Sequence, residues 1–160
     1  MLKLYKRTGG TLRYHEAWCN DGTVMEHWGV AGERGNSREH GFAKGEDEQD
    51  AILRVLQRAA EQGFAPIGIH DHAILLVEYA IEGFGTPQDL AKRHALEDRM
   101  GETLGWTGLG ACDGGSIGSG TMEVCCYVAD FDIAKRVIEA DLKGTEYGDY
   151  TRIYREDDAA

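Results

Sequence analysis

Residues 28–36 read Trp-Gly-Val-Ala-Gly-Glu-Arg-Gly-Asn, and they are the most informative part of the sequence for the fold of the amino-terminal part of the chain. It overlaps the end of a strand signal at residues 23–30. Gly32 and Gly35 then bracket a turn, because glycine adopts positive φ angles without a steric penalty. A strand that ends in a tight glycine turn is therefore expected here.

Three more strand signals flank this stretch, and a helix signal follows them. The acidic residues 46–48 open the helix, since negative charge suits the positive end of the helix dipole. Gly63 is expected to end it, with Phe64 folding back as a hydrophobic contact. The order predicts an antiparallel sheet and one helix within residues 1–67. The flanking strand signals are residues 2–7, 12–19 and 37–42.

This arrangement resembles the WGR domain, whose signature runs W-G-R-x-G-x-x-G-Q. The resemblance rests on Trp28 and on the three glycines at positions 29, 32 and 35. In poly(ADP-ribose) polymerases this domain contacts DNA ends, and the tryptophan and arginine of the motif take part. The resemblance therefore implies a WGR-like module over residues 1–67 and places Trp28 at a contact surface.

Two positions depart from the motif. Val30 replaces its arginine and Asn36 replaces its closing glutamine, and a valine cannot pair with phosphate. Arg34 and Arg38 stand beside acidic neighbours, so no basic stripe is expected to compensate. Trp28 and Arg34 are the candidate binding residues of this module. Packing of Trp28 in the core or the hairpin, with or near Tyr14 and Trp18 of the neighbouring strand, is the alternative.

The remainder, residues 68–160, shows the order strand, helix, strand, strand, helix, strand. Thr86 and Pro87 are suited to start the first helix, and Asp130 to cap the second. This βαββαβ order predicts a ferredoxin-like sandwich, with an acidic, frayed tail at residues 156–158. The fold class is therefore α+β. Residues 108–132 also resemble small bacterial proteins of unassigned role.

A glycine-rich stretch at residues 108–120 is read as a flexible hairpin. Its backbone N–H groups suit an anion, so binding of a small ligand there is an alternative function. The candidate binding residues of this module are Asp113, Glu123 and Tyr127. Two histidines at 70 and 72 lack a third ligand nearby, so neither a metal site nor a cofactor is predicted.

His15 and His27 are expected to face each other across a hairpin as a solvated pair. The four cysteines form no C-x-x-C motif, and reduced thiols in a cytoplasm are the simplest interpretation. No secretory signal and no apolar run long enough to span a membrane are evident.

The net charge of −11 is unevenly distributed. Residues 1–67 contain 9 basic and 10 acidic side chains, whereas residues 68–160 contain 8 and 18. A strongly acidic surface repels nucleic acid and attracts basic partners.

These observations predict a non-enzymatic, cytoplasmic protein of bacterial or phage origin that binds a basic protein through its acidic module. An inhibitor or immunity protein against a basic toxin or nuclease is the sharpest form of this hypothesis. Nucleic-acid-end binding by the WGR-like module is the second hypothesis, disfavoured by the net charge. The oligomeric state is left open.

Overall fold

The computed structural model describes residues 1–159 and divides into two compact units. The first is Met1–Gly68, and the second begins at Ile69. Each contains a four-stranded antiparallel sheet, and the described residues form three α-helices. The α+β class predicted from the sequence is confirmed.

The sheet of the first unit has the strand order β1-β2-β3-β4, so each strand pairs with its neighbour in sequence. The helix α1 follows the last strand and packs on one face of this sheet. The elements are β1 (Leu2–Thr8), β2 (Thr11–Asn20), β3 (Thr23–Val30), β4 (Asn36–His40) and α1 (Glu48–Glu61).

The helix α1 begins at the acidic stretch and ends just before Gly63, as predicted. The Asp47 carboxylate accepts a hydrogen bond from the Asp50 N–H at 2.9 Å, which caps the amino terminus. Gly63 has a φ of +89°, and the Phe64 N–H donates to the Ala59 carbonyl at 3.1 Å. The Phe64 side chain folds back onto the core. The buried core residues are Leu4, Ala17, Val24, Ala51, Leu56 and Ala59.

The buried Tyr14 hydroxyl explains two glycines of the motif. Gly35 has a φ of +55°, and a Cβ there would overlap the Tyr14 hydroxyl and the Trp28 carbonyl oxygen. A Cβ on Gly29 would lie 2.8 Å from the Gly35 Cα atom. The turn therefore closes onto β3 only because both positions lack a side chain.

The sheet of the second unit has the order β6-β7-β5-β8, so the first and third connections cross over the sheet. Both crossovers contain a helix, as the predicted element order requires. The elements are β5 (Ala73–Ala80), α2 (Pro87–Trp106), β6 (Gly110–Gly118), β7 (Thr121–Val128), α3 (Phe131–Leu142) and β8 (Arg152–Arg155).

Both helices of this unit pack against the same face of the sheet. Thr86 and Asp130 cap them, and Pro87 is the first residue of α2, as predicted. Successive side chains of β7 point to opposite faces, so Met122, Val124, Cys126 and Val128 are buried against the helices. Neither α2 nor α3 packs on the opposite face. The buried helix residues are Leu96, Met100, Leu104, Ala134, Ile138 and Leu142.

The glycine-rich stretch is not the flexible hairpin that the sequence suggested. Most of it is β6, paired with β7 and interrupted by a bulge between Cys112 and Gly115. A Cβ on Gly115 would overlap the Glu123 carbonyl oxygen, and one on Gly110 would overlap that of Tyr127. These glycines permit close backbone approach along an edge strand, and no open loop remains to cradle an anion.

Two further expectations are corrected. Glu156–Ala159 forms a short 3₁₀ helix and is not a frayed tail. Cys112 and Cys126, opposite each other on β6 and β7, form a disulfide, whereas Cys19 and Cys125 are free. The inference of a reducing compartment therefore loses its basis. Among the residues described, no helix is both long and apolar enough to cross a bilayer.

Substituting Gly35→Ala should destabilise the first unit far more than substituting Gly9→Ala. The two glycines have nearly equal φ angles, +55° and +56°, but nothing lies within 4 Å of a Cβ on Gly9. We expect a loss of about 1 kcal/mol at Gly9, from backbone strain alone, and about 3 kcal/mol at Gly35, where overpacking adds to it. Urea unfolding, monitored by hydrogen exchange of the β2 and β3 amides, measures the loss of stability in each variant. Equal losses would contradict the role of the Tyr14 contact.

The disulfide predicts the number of reactive thiols. Denatured protein purified without reductant should show two free thiols, because Cys19 and Cys125 alone are unpaired. Cys125→Ser should lower the count to one, and Cys112→Ser should raise it to three by releasing Cys126. A thiol titration with Ellman's reagent measures these counts. Four free thiols in the unreduced wild type would exclude the bond.

Candidate functional site

A cavity of about 400 Å³ in the first unit, here named the Trp28 cleft, lies beside the core between the sheet and α1. It contains three arginines from three different elements, together with aromatic and imidazole rings. Its principal lining residues are Arg13 and His15 of β2, Glu26 and Trp28 of β3, Arg38 of β4, Arg58 and Gln62 of α1, and Phe64.

Strand alternation explains why these residues share one face. In β2 the helix-facing positions include Arg13, His15 and Ala17, which are two residues apart. Ala17 belongs to the core, whereas Arg13 and His15 lie further along the strand and line the cleft. Register places His15 directly opposite Trp28. The cleft is thus the polar continuation of the core face.

The three arginines of the cleft have no carboxylate partner among residues 1–159. Arg38 lies over the Trp28 ring, with its guanidinium carbon 5.5 Å from the ring centroid. Arg13 and Arg58 are exposed at the cleft walls. The expectation that no basic stripe is present is therefore wrong, because arginines distant in sequence converge in the folded unit.

Aromatic rings form another part of the wall. The His15 ring stacks on Trp28 with centroids 5.8 Å apart and an interplanar angle of 26°. The Phe64 ring meets His15 edge-on at 5.9 Å. Trp28 does not pack on Tyr14 as the alternative supposed, because Tyr14 pairs with Gly29 and points to the other face of the sheet.

The Glu26 carboxylate is bound between two histidines. Its two oxygens lie 2.6 Å from the Nε2 atoms of His15 and His40. Burial opposes ionisation of Glu26, but the hydrogen bonds to His15 and His40 outweigh it and hold the pKa of Glu26 below its ordinary value. The carboxylate is therefore ionised and already hydrogen-bonded, which leaves the arginines of the cleft available to an external anion.

A second polar network lies on the opposite face of the sheet. His27 Nδ1 lies 2.7 Å from Glu16 Oε1, and its Nε2 lies 3.1 Å from the Tyr14 hydroxyl and from the Arg34 carbonyl. His15 and His27 thus do not face each other, and His27 is buried with 1% exposure. Burial, with the charges of Glu16 and Glu33, raises the pKa of Tyr14. This network holds the motif turn in place.

The candidate binding residues of the first unit are therefore separated. Trp28 lines the cleft, whereas Arg34 belongs to the turn on the other side of the sheet and is not among the lining residues. Sequence reasoning missed Arg13 and Arg58. The signal was present for Arg13, since its spacing from Ala17 is that of one strand face. Arg58 precedes the buried Ala59, and only packing of α1 against the sheet brings it to the cleft.

The candidate residues of the second unit come together on the face of its sheet that lies opposite α2 and α3. Glu123 and Tyr127 alternate with the buried residues of β7, and Asp113 lies at the bulge of the adjacent β6. We name this surface the acidic sheet face. Its members include Asp113 and Ser116 of β6, Glu123, Cys125 and Tyr127 of β7, Ile74, Leu76 and Glu78 of β5, and Arg152 and Tyr154 of β8.

Metal ligation has no support in the described part of the chain. No group of three or more histidine, cysteine or acidic side chains there is arranged to hold an ion. His70 and His72 line a different cavity, in the second unit.

Substituting Glu26→Gln should lower stability at neutral pH by about 1 kcal/mol, because it weakens two charge-assisted hydrogen bonds. A carboxyl whose pKa is lowered on folding stabilises the protein above its ordinary value of 4.5, and that contribution disappears as the pH falls through the lowered value. The difference from wild type should therefore shrink between pH 7 and pH 3. Urea unfolding at both pH values measures it, with the exposed Glu39→Gln as control. A difference that grows in acid would contradict this assignment.

Comparisons of the chain with protein families, with characterised proteins and with solved structures find no match. A fold alone does not identify a function, since one fold supports many activities. The function therefore has to be inferred from the chemistry of the Trp28 cleft and the acidic sheet face.

Proposed function

We propose that the first unit binds the end of a nucleic acid strand in the Trp28 cleft. The observation that carries this proposal is the convergence of Arg13, Arg38 and Arg58 on one cavity without a carboxylate partner in the described chain. Guanidinium groups bind phosphate in bidentate geometry, and flat rings stack on bases and sugars. The cleft offers both kinds of contact.

The position of Arg13 supports the resemblance to the WGR domain despite the altered motif. Val30 occupies the motif's arginine position, and the strand register places Arg13 directly opposite it. Side chains at such positions lie about 5 Å apart at Cβ on the same face of a sheet. Arg13 therefore brings a guanidinium group to the place where the motif arginine is absent.

The size of the cleft favours a strand end over the body of a duplex. A volume of about 400 Å³ lies near the lower limit of ordinary ligand sites and suits about one nucleotide. Continuous binding along a duplex would instead need an extended row of cations. A terminal phosphate at the arginines, with its nucleoside against Trp28, makes use of the available contacts.

The acidity of the chain does not prevent such binding. Residues 1–67 contribute only −1 to the net charge, and the remaining −10 belongs to the second unit. Repulsion between exposed charges falls off over about 8 Å at physiological ionic strength. The local cations of the cleft therefore dominate the interaction of a phosphate that has entered it.

The proposal is one of binding without catalysis. A catalytic histidine would activate a nucleophile by accepting its proton. His15 and His40 are instead both hydrogen-bonded to the Glu26 carboxylate. We further propose a WGR-like fold for the first unit and a ferredoxin-like fold for the second. The strand order β8-β5-β7-β6 with two crossover helices supports the latter.

Binding should require a free strand end and the arginines of the cleft. Fluorescence anisotropy would compare a labelled linear 5′-phosphorylated single strand with a circular one of the same sequence. We expect the linear strand to bind at least tenfold more tightly. Arg13→Ala and Arg58→Ala should each weaken binding of the linear strand about tenfold, equivalent to about 1.4 kcal/mol.

The control is Lys44→Ala, which removes one positive charge from an exposed position outside the cleft. It should change the affinity less than twofold. Equal binding of the circular strand, or an equal loss in the Lys44 variant, would show that any binding is general electrostatic attraction and would remove the proposal. Absence of binding at low salt would remove it too.

A further inference from the structure

The acidic sheet face leaves apolar and aromatic side chains half-exposed. Both helices of the second unit pack on the other side of the sheet, and alternation directs every second residue away from them. Leu76 of β5 lies beside Cys125 of β7 and Tyr154 of β8 by register. Tyr127 is also only partly buried. The centre of the surface is therefore a row of apolar and aromatic groups.

Three carboxylates surround this row. Burial, with the negative charges of Glu156, Asp113 and Glu123, raises the pKa of the Cys125 thiol, so these acids lie near one sulfur atom. They come from three segments, namely the 3₁₀ helix after β8, the bulge of β6, and β7. The surface is thus negative on two sides of its apolar centre.

The nearby Arg152 is engaged first by another carboxylate: its hydrogen bond to Glu78 raises the pKa of Arg152, and the charge of Glu123 contributes less. Arg152 forms an ion pair with Glu78 at 2.8 Å, and its guanidinium carbon lies 4.0 Å from the centroid of the Tyr154 ring. The charge of Arg152 is therefore paired with Glu78, and its guanidinium plane packs on the Tyr154 ring. The negative charge of Asp113 and Glu156, with the part of the Glu123 charge that Arg152 does not offset, remains available to a partner.

Hydrogen bonds hold Glu123 in place. The Tyr154 hydroxyl donates to one of its oxygens, and the Ser116 hydroxyl lies 3.1 Å from the other. Burial, together with this bond to Glu123, raises the pKa of Tyr154 to about 12, so the phenol remains a donor at neutral pH. A fixed carboxylate loses little side-chain entropy on binding a cation.

A cavity of about 570 Å³ adjoins this surface at Tyr127. Its walls include the carboxylates of Asp71, Glu156 and Asp157 together with the Tyr127 ring, a combination that suits an ammonium or guanidinium group. Arg155 and two histidines also line it, and the Arg155 guanidinium packs over the Phe131 ring at 5.3 Å. The cavity gives the acidic sheet face a depth that a flat patch of acids would lack.

We propose that the acidic sheet face docks a lysine- or arginine-rich segment of another protein, with one cationic side chain entering the cavity beside Tyr127. Charge complementarity selects this occupant over a polyanion, which the carboxylates repel. A divalent metal is a poorer fit, since no three ligating side chains converge in the described chain. The surface lies in the second unit and does not depend on the Trp28 cleft.

The size of the surface indicates a segment as the occupant. Four strands about 4.8 Å apart, with residues spaced about 3.3 Å along them, give a face of roughly 15 by 20 Å. This is well below the roughly 800 Å² that each partner contributes to a standard protein–protein interface. A segment of about six extended residues crosses it.

The test uses the full chain and a dansyl-labelled peptide of eight alternating lysine and arginine residues. We expect a dissociation constant in the micromolar range at low salt, weakening as salt is added. Asp113→Asn combined with Glu123→Gln should weaken binding at least tenfold. Tyr127→Ala should weaken it at least threefold, although that substitution leaves the net charge unchanged.

A matched control removes the same two charges elsewhere. Asp98 and Glu102 are exposed on α2, which covers the other side of the sheet, so Asp98→Asn with Glu102→Gln should change binding less than twofold. The two free thiols add an internal control. Saturating peptide should slow the alkylation of Cys125 at least fivefold and leave that of Cys19 unchanged.

Several results would overturn the proposal. These are failure of the wild type to bind the peptide at low salt, equal losses in the two double variants, or no protection of Cys125. Binding of the acidic sheet face to RNA in place of the peptide would also overturn it. Arg13→Ala, which tests the Trp28 cleft, should leave peptide binding unchanged, so the two proposals fail separately.

Discussion

The alternation of side chains along each strand is the constraint on which both units depend. In each unit the helices cover one face of an antiparallel sheet, so every strand residue either faces a helix or faces away from it. In the first unit this rule sends His15 into the Trp28 cleft and its neighbour Glu16 into the network with His27 on the other face. In the second unit it buries Cys126 and leaves Cys125 and Tyr127 half-exposed on the acidic sheet face. Adjacent residues therefore have unrelated roles.

The chain combines two surfaces of opposite charge. Three arginines without carboxylate partners in the described chain converge in the first unit, whereas carboxylates gather around one thiol in the second. In both places a hydrogen-bonded carboxylate is held in position, Glu26 between two imidazoles and Glu123 between two hydroxyls. A net charge of −11 describes neither surface, because Coulomb interactions at contact distance depend on the local charges.

The glycine-rich stretches have different structural roles in the two units. Around Trp28 the glycines allow a turn to close over the Tyr14 hydroxyl, and they therefore explain part of a sequence signature without reference to a ligand. Along β6 they allow the backbone of an edge strand to approach β7, which removes the loop that composition had suggested. A glycine-rich run indicates close approach of backbone, and only the structure shows whether the approaching group is a ligand or a strand.

The α+β class, the order of strands and helices, and the helix caps at Thr86 and Asp130 could be predicted from the sequence, because they depend on local periodicity and local hydrogen bonds. Glu123 and Tyr127 were also named from the sequence as candidate binding residues. The meeting of Arg13 and Arg58 at Trp28, and the pairing of Cys112 with Cys126, became evident from the three-dimensional structure. These pairings depend on strand register and on the seating of a helix against a sheet. Both are set by packing between residues far apart in the chain, which a local pattern does not record.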